Sequence, residues 1–98
     1  MTGIEITNIR ESLELSRNDF SDLLGVTSST TIRWEKAAVK QIKIDLLQEK
    51  LLTYLQAKTL YRNDKELIKL RNGVMESLII GGTLMAIGFI LKDLLKKD

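Results

Sequence analysis

The sequence predicts an all-α protein, and three observations support this prediction. Its 98 residues contain no proline and only six glycines, so little in the chain interrupts a helix. Apolar residues recur at helical spacing, beginning with Ile6, Ile9 and Leu13. Hydroxyl residues stand where helices would begin, at Ser16 and Thr27. We therefore expect a small helical bundle.

Two short helices joined by a tight turn are predicted in the first 40 residues. The first helix of the chain ends near Leu13, and Ser16 with the acidic residue three positions later resembles a capping box that starts the second helix. Gly25 stands where a left-handed C-cap residue is needed. Thr27 caps a third helix that runs to about Ala38. Two helices joined in this way have the geometry of a helix-turn-helix.

The residue pattern of the rest of the chain predicts longer helices. Residues 42–55 are apolar on a wide face and predict a core helix that packs on the first three helices. Residues 58–72 are highly charged but keep several leucines, which predicts a partly exposed helix. Gly73 marks an expected break in the chain. The segment that follows has fifteen uncharged residues, from Ser77 to Leu91.

Composition excludes several classes of function. The chain has no cysteine and no histidine, which excludes zinc fingers, thiol chemistry and an imidazole base. Charge is uneven: residues 1–40 hold five basic and six acidic residues, residues 41–73 hold seven and four, and residues 74–98 hold three of each. No signal peptide is visible at the N-terminus. We expect a cytoplasmic protein with no enzymatic activity, no metal and no cofactor.

Residues 15–36, LSRNDFSDLLGVTSSTTIRWEK, resemble the Xre and Cro family of phage and bacterial repressors. The resemblance covers about 35 residues when the preceding helix is included, and the other 60 or so carry none. The positions that match the family string are Leu15, Ser16, Leu24, Gly25, Val26, Thr30, Trp34 and Glu35. The resemblance implies a repressor-like helix-turn-helix bundle, followed here by long C-terminal helices, with Trp34 in the core.

The resemblance also implies a recognition helix, residues 27–37, that lies in the major groove of DNA. Arg33 is expected to read guanine, because its planar guanidinium can bond both acceptors of that base. The residues expected to contact bases are Ser28, Ser29, Ile32 and Arg33. Those expected to contact phosphates are Arg17, Thr27, Lys36 and Lys40. The family often pairs Arg with Glu beneath this helix, which implies an ion pair between Arg10 and Glu35.

Two features depart from the family pattern. The family buries Val or Ile where this chain has Thr31, and the apolar residue comes one position later, at Ile32. Ile32 then lies on the face expected to meet DNA, where it would touch a thymine methyl group or a protein partner. The second departure is the slightly acidic charge of residues 1–40, since DNA affinity depends largely on neutralising phosphates.

The C-terminal segment leaves two interpretations open. Residues 74–95 are long enough for a short membrane anchor, and they equally suit a buried helix that joins protomers. Ser77, Gly81 and Gly88 are predicted to share one small-residue face that allows two helices to approach closely. More basic residues precede the segment than follow it, which would keep the N-terminal region in the cytoplasm if the helix spans a membrane.

We expect two functional regions, a DNA-binding domain of residues 1–57 and a segment of residues 58–98 for oligomerisation or membrane attachment. The leading hypothesis is a sequence-specific transcriptional regulator of the repressor type that binds double-stranded DNA as a homodimer or higher oligomer. The alternatives are a scaffold protein, attached to the inner face of the cell membrane, that binds protein through its helix-turn-helix, and an antitoxin with a toxin partner.

Overall fold

A computed structural model describes residues 1–60 and 64–95 of the chain. Within these residues there are five helices: α1 (Gly3–Ser12), α2 (Arg17–Leu24), α3 (Ser28–Lys36), α4 (Leu46–Leu60) and α5 (Asp64–Leu95). The described residues form no strand, and a lone antiparallel bridge pairs Thr2 with Gln41. The all-α prediction is therefore confirmed.

Helix α1 begins with a capping box that sequence inspection did not identify. The Thr2 hydroxyl accepts from the backbone N–H of Glu5 at 3.2 Å, and the Thr2 N–H donates to the Glu5 carboxylate at 2.9 Å. The Thr2 N–H, together with the side chain of Gln56, holds the pKa of Glu5 below its ordinary value. These bonds fix the start of α1 and tie it to α4.

Both ends of α2 and the start of α3 lie where the sequence predicts them, while α3 ends at Lys36, before the predicted Ala38. Ser16 caps α2 by accepting from the Asp19 N–H at 3.0 Å, and Gly25 closes it in the left-handed conformation (φ 71°, ψ 31°). Thr27 caps α3 by accepting from the Thr30 N–H at 3.2 Å. Residues 25–27 are thus a short, capped connection between two helices.

The predicted helix over residues 42–55 is wrong at its start. Residues 42–45 are not helical, and α4 begins only at Leu46. Asp45 accepts from the Gln48 N–H at 2.7 Å, while the Gln48 side chain accepts from the Asp45 N–H at 3.1 Å. This reciprocal cap starts the helix after the apolar pattern has already begun. Ile42 and Ile44 instead pack against the core from the connecting segment.

One hydrophobic core joins all five helices. The buried side chains of α1, α2 and α4 form its centre, and residues from both ends of α5 extend it. Phe20, Leu52 and Leu55 are fully buried within it. The core residues are Ile6, Ile9, Leu13, Leu15, Phe20, Leu23, Leu24, Trp34, Leu51, Leu52, Leu55, Leu67, Leu70, Val74, Ala86 and Ile90. Burial of these side chains supplies most of the free energy that holds the helices together.

The break expected at Gly73 is also wrong, because the helix passes through Gly73 and breaks at Gly82 instead. Gly82 has φ 70° and ψ −153°, a conformation that only glycine adopts readily. Packing leaves no room for a side chain at position 73, because a Cβ there would lie 2.2 Å from the ring of Phe89. Residues 73 and 89 therefore face each other, and α5 is a hairpin with arms of residues 64–81 and 83–95.

This hairpin separates the predicted small-residue face. Ser77 and Gly81 lie on the first arm and Gly88 on the second, so the three residues do not share one side of a straight helix. A shared face would need an unbroken helix from residue 77 to residue 88, and Gly82 interrupts it. Gly88 remains exposed, with no atom within 4 Å of where its Cβ would be.

The hairpin packs against α2 and α4 and contacts the segment between α1 and α2. The Thr83 hydroxyl donates to the Asp22 carbonyl oxygen at the end of α2, and Arg71 forms an ion pair with Glu14 at 3.2 Å. Asp93 accepts from the Tyr54 hydroxyl on α4. Helix α4 itself continues past residue 57 to Leu60, so the predicted domain boundary falls within a helix.

Candidate nucleic-acid interface

Helix α3 is held in place by its inner face. Thr31 and Trp34 are buried against α1 and α2, and they are three positions apart on one side of the helix. Burial of Trp34 agrees with its expected core position. The start of α3 is fixed by the Thr27 cap, and its end leads into Ala38, whose carbonyl accepts from the Ile4 N–H at 3.0 Å. The backbone of α3 is therefore anchored at both ends.

The departure at Thr31 has a structural explanation. Thr31 is fully buried, and its hydroxyl lies 2.6 Å from the equally buried hydroxyl of Ser21 on α2. Because the Ser21 hydroxyl donates to the Arg17 carbonyl at 2.6 Å, Thr31 is the donor to Ser21. A buried polar pair thus accounts for the threonine at position 31, and the neighbouring Ile32 faces solvent.

Replacing this pair with apolar residues tests the explanation. The double variant Ser21→Ala/Thr31→Val is expected to change the free energy of unfolding by less than about 1 kcal/mol, because both hydroxyls are removed together. The single variant Thr31→Asn, which adds volume and an amide at the same buried position, is expected to cost about 2 kcal/mol or more. Urea unfolding measures both, and a double variant that is less stable than Thr31→Asn would contradict the explanation.

Glu35 is the centre of the ion-pair network under α3. Its carboxylate accepts from Arg10 Nε at 2.7 Å and from Arg17 Nε at 2.9 Å. Arg10 also donates to the Leu15 carbonyl at 3.0 Å. The side chains of Arg10 and Glu35 are only 11% and 7% exposed, so this pair is largely removed from water. The expected Arg10–Glu35 pair is thus present, with Arg17 as a third member that the sequence did not reveal.

The outer face of α3 lies open to solvent. Ser29, Ile32, Arg33 and Lys36 are all exposed, and Ile32 exposes 40% of its surface. Among the ion pairs of residues 1–60 and 64–95, none includes Arg33, Lys36 or Lys40. The predicted base-contacting residues other than Ser28 are therefore exposed on α3 together with Lys36.

Ser28, Thr27 and Arg17 are already engaged within the protein. The Ser28 hydroxyl donates to Asn18 on α2, and the Thr27 hydroxyl is used in capping α3. Arg17 is bonded to Glu35, although its side chain stays about half exposed. Asn18 was not predicted as a site residue, and its position in the first turn of α2, next to the start of α3, was the signal that could have identified it.

The described residues form a cavity that lies away from α3. Among the residues that are described, no group of three acidic side chains could hold a metal ion. The cavity, of about 880 Å³, is lined by residues of α4 and the two ends of α5, including Tyr54, Lys58 and Asp93. Burial and the bond to Asp93 raise the pKa of the Tyr54 hydroxyl above its ordinary value. None of the residues lining this cavity belongs to α3.

Comparison of the chain with protein-family models, with curated proteins and with solved structures finds no match. The assignment of a function therefore depends on the surface of α3 and on the sequence resemblance.

Proposed function

We propose that the chain is a sequence-specific DNA-binding regulator that places α3 in the major groove. The observation that carries the proposal is the two-sided character of α3. Its inner face is fixed by Trp34, Thr31 and the Glu35 ion pairs, while its outer face presents Arg33 and Lys36 to solvent. A rigid helix with an open cationic face is suited to groove insertion, because little side-chain packing must be given up on binding.

The proposed roles follow from the chemistry of each side chain. Arg33 reads a guanine through its guanidinium, and Ser29 bonds a neighbouring base edge. Ile32 contacts a thymine methyl group, which suits an exposed aliphatic residue in the major groove. Lys36 and Lys40 bind phosphates and fix the register of the helix on the duplex.

We propose that the regulator acts as a homodimer. Residues 1–40 carry a net charge of −1, so one protomer neutralises few phosphates and binds weakly on its own. Two recognition helices spaced about 34 Å apart, one turn of DNA, would bind two half-sites of a palindrome together. The linked second contact raises affinity without any additional residue in the interface.

Selection of bound duplexes from a random pool tests the proposal. The full chain is expected to enrich a palindromic sequence whose half-sites are about 10 base pairs apart. Recovery of sequences no different from the starting pool would contradict sequence-specific binding.

Variants of α3 then test the assigned roles on the enriched duplex. Arg33→Ala is expected to weaken specific binding about 10- to 100-fold and to relax the preference at one base pair. Lys36→Ala should weaken binding to all sequences and lower the salt dependence by about one counterion. Lys65→Ala, an exposed lysine on α5, is the matched control and should leave binding unchanged. If Arg33→Ala binds the enriched duplex with unchanged affinity and base preference, Arg33 does not recognise a base.

The exposure of Ile32 favours a second candidate function, a scaffold protein that binds protein through α3. An aliphatic side chain beside an arginine also suits a protein interface, where both residue types often occur near the centre of the buried area. In that case duplex selection would enrich nothing, and Ile32→Glu would abolish binding of the protein partner. The antitoxin hypothesis shares the DNA experiment and differs only in having a toxin as an additional partner.

A further inference from the structure

The turn of the α5 hairpin exposes a cluster of aliphatic side chains. Ile79 and Leu84 are 82% and 84% exposed, and Ile80 and Met85 beside them are also exposed. We call these four residues the apex cluster. They lie in the fifteen-residue stretch without charge, residues 77–91. Exposure of this much aliphatic surface is unfavourable in water, and such a patch marks a surface suited to an apolar partner.

Helix α5 meets the length and composition of a membrane span. Within the described residues it is the one helix that does so, with a mean hydropathy of 2.0, and only 17% of its most apolar 18-residue stretch is buried in the protein. A core helix of a soluble protein would be mostly covered by its neighbours. If Gly82 were helical, residues 74–91 would form a rod of about 27 Å, close to the thickness of about 30 Å of the hydrocarbon core of a bilayer.

The distribution of exposed residues favours a lipid environment over a second copy of the chain. Ile79 and Ile80 are adjacent, as are Leu84 and Met85, and adjacent residues point about 100° apart on a helix. The apex cluster is therefore a patch about 100° wide on each arm, while Ala86 and Ile90 lie on the buried side of the second arm. No charged residue borders this patch between residues 77 and 91, whereas an interface with a second protein chain usually has a polar rim.

Contacts between its two arms and with α2 and α4 hold the hairpin closed. The ring of Phe89 lies over Gly73, and Ala86 and Ile90 are buried beneath the second arm. At the open end Asp93 accepts from the Tyr54 hydroxyl and lies 3.8 Å from Lys58. The backbone conformation at position 82 is unfavourable for any residue with a side chain. Straightening would complete the helical backbone hydrogen bonds at Gly82 and transfer the arm's apolar side chains into lipid.

We propose that residues 77–91 insert into a lipid bilayer, and that insertion straightens α5 at Gly82 into one continuous helix. The hairpin is the form of this segment in water, and the apex cluster is the part that enters the bilayer first. Because aliphatic burial drives the insertion, vesicles of neutral phosphatidylcholine are sufficient to bind the chain. Residues 1–60 stay in water and leave the α3 face accessible.

Flotation of the full chain with phosphatidylcholine vesicles tests the insertion. The chain is expected to float with the vesicles and to resist extraction by high salt. Leu84→Asp places a charge in the apex cluster and should lower the vesicle partition coefficient at least about 100-fold. Val39→Asp, which changes an equally exposed aliphatic residue outside α5, is the matched control and should float like the unaltered chain. A chain that stays at the bottom of the gradient overturns the proposal, as does a dimer that buries the apex cluster in water without binding vesicles.

A distance measurement tests the straightening. The chain has no cysteine, so spin labels attach only at the introduced residues of Lys69→Cys/Lys92→Cys, which are exposed on opposite arms. In water the arms pack side by side, and helix axes in contact lie about 8–10 Å apart. In a straight helix the two positions are separated by about 35 Å. A change from the short to the long distance on adding vesicles supports the proposal, and a short distance in the vesicle-bound chain overturns the straightening.

Two glycine variants distinguish the specific effect of Gly82 on the hairpin from the general effect of replacing a glycine in a helix. Gly82→Ala removes the residue that permits the hairpin, and it is expected to raise the long-distance fraction about tenfold or more. Gly88→Ala adds a methyl group in open space on the second arm and should leave the distance distribution unchanged. The single tryptophan, Trp34, is buried in the N-terminal bundle, so its fluorescence verifies that each variant stays folded there. Equal effects of the two variants overturn the role of Gly82.

The membrane-insertion proposal and the DNA-binding proposal can be contradicted independently of each other. Arg33→Ala is expected to leave vesicle binding unchanged, because Arg33 is exposed on α3 and outside the inserted segment.

Discussion

Replacing Glu35 with alanine is expected to lower the free energy of unfolding by about 3–5 kcal/mol, because it leaves a largely buried arginine without its partner. Arg10 is 11% exposed and loses its 2.7 Å bond to Glu35. Its remaining acceptor is the Leu15 carbonyl, and Glu11 lies at 3.9 Å on the surface. Arg17 loses the same partner, but its side chain is 52% exposed and water can replace the bond.

Thermal unfolding measures this effect, with Glu11→Ala as the matched control. Glu11 is 65% exposed and contacts Arg10 only at 3.9 Å, so its removal should cost no more than about 0.5 kcal/mol. For a chain of this size, a loss of 3 kcal/mol lowers the melting temperature by more than about 10 °C. Similar melting temperatures for the two variants would show that the Glu35 pairs contribute little. Arg10→Met/Glu35→Leu should recover most of the loss, since no charge is then left buried.

Gly3→Ala is expected to destabilise the protein by about 3 kcal/mol or more, because α1 begins in direct contact with the backbone of α3. A Cβ on Gly3 would lie 2.3 Å from the Trp34 carbonyl oxygen and 2.7 Å from the Ala38 nitrogen. Neither atom belongs to a flexible side chain, so the two helices would have to move apart. That movement would also disturb the Ile4 N–H bond to the Ala38 carbonyl.

Gly88→Ala is the control for this substitution. It makes the same chemical change at an exposed helical position with nothing within 4 Å, and it should be neutral or stabilise the chain by up to about 1 kcal/mol. Urea unfolding provides the comparison. The Gly3→Ala variant is also expected to lose sequence-specific DNA binding, because the close contact at Gly3 positions the C-terminal end of α3. Equal stability of the two glycine variants would contradict the close approach of α1 and α3.

The helices of the first 40 residues could be predicted because their ends depend on local chemistry. Ser16, Gly25 and Thr27 cap or terminate helices through bonds to residues within five positions. Such signals do not depend on the rest of the fold. The start of α4 is harder to predict, because the apolar pattern of residues 42–55 continues across the Asp45 cap and hides the point where the helix begins.

The surface of the candidate site was only partly predictable. The resemblance implied an outward face for Ser29, Ile32 and Arg33, and the structure places all three in solvent. It did not reveal that Arg17 bonds Glu35 or that Ser28 bonds Asn18. These contacts join residues 10 and 18 positions apart, and they depend on the angle between α2 and α3, which no local pattern specifies.

The hairpin shows most clearly what sequence and tertiary structure each decide. By itself the amino-acid pattern determined that the protein is helical, where the early helices are capped, and that residues 77–91 are apolar and uncharged. Only the tertiary structure decided which glycine bends α5. Gly73 and Gly82 have the same intrinsic freedom, but the Phe89 ring packs over one of them in a helix while the other takes a positive φ. The choice between them rests on contacts between residues distant in the chain, and these exist only once the helices have packed.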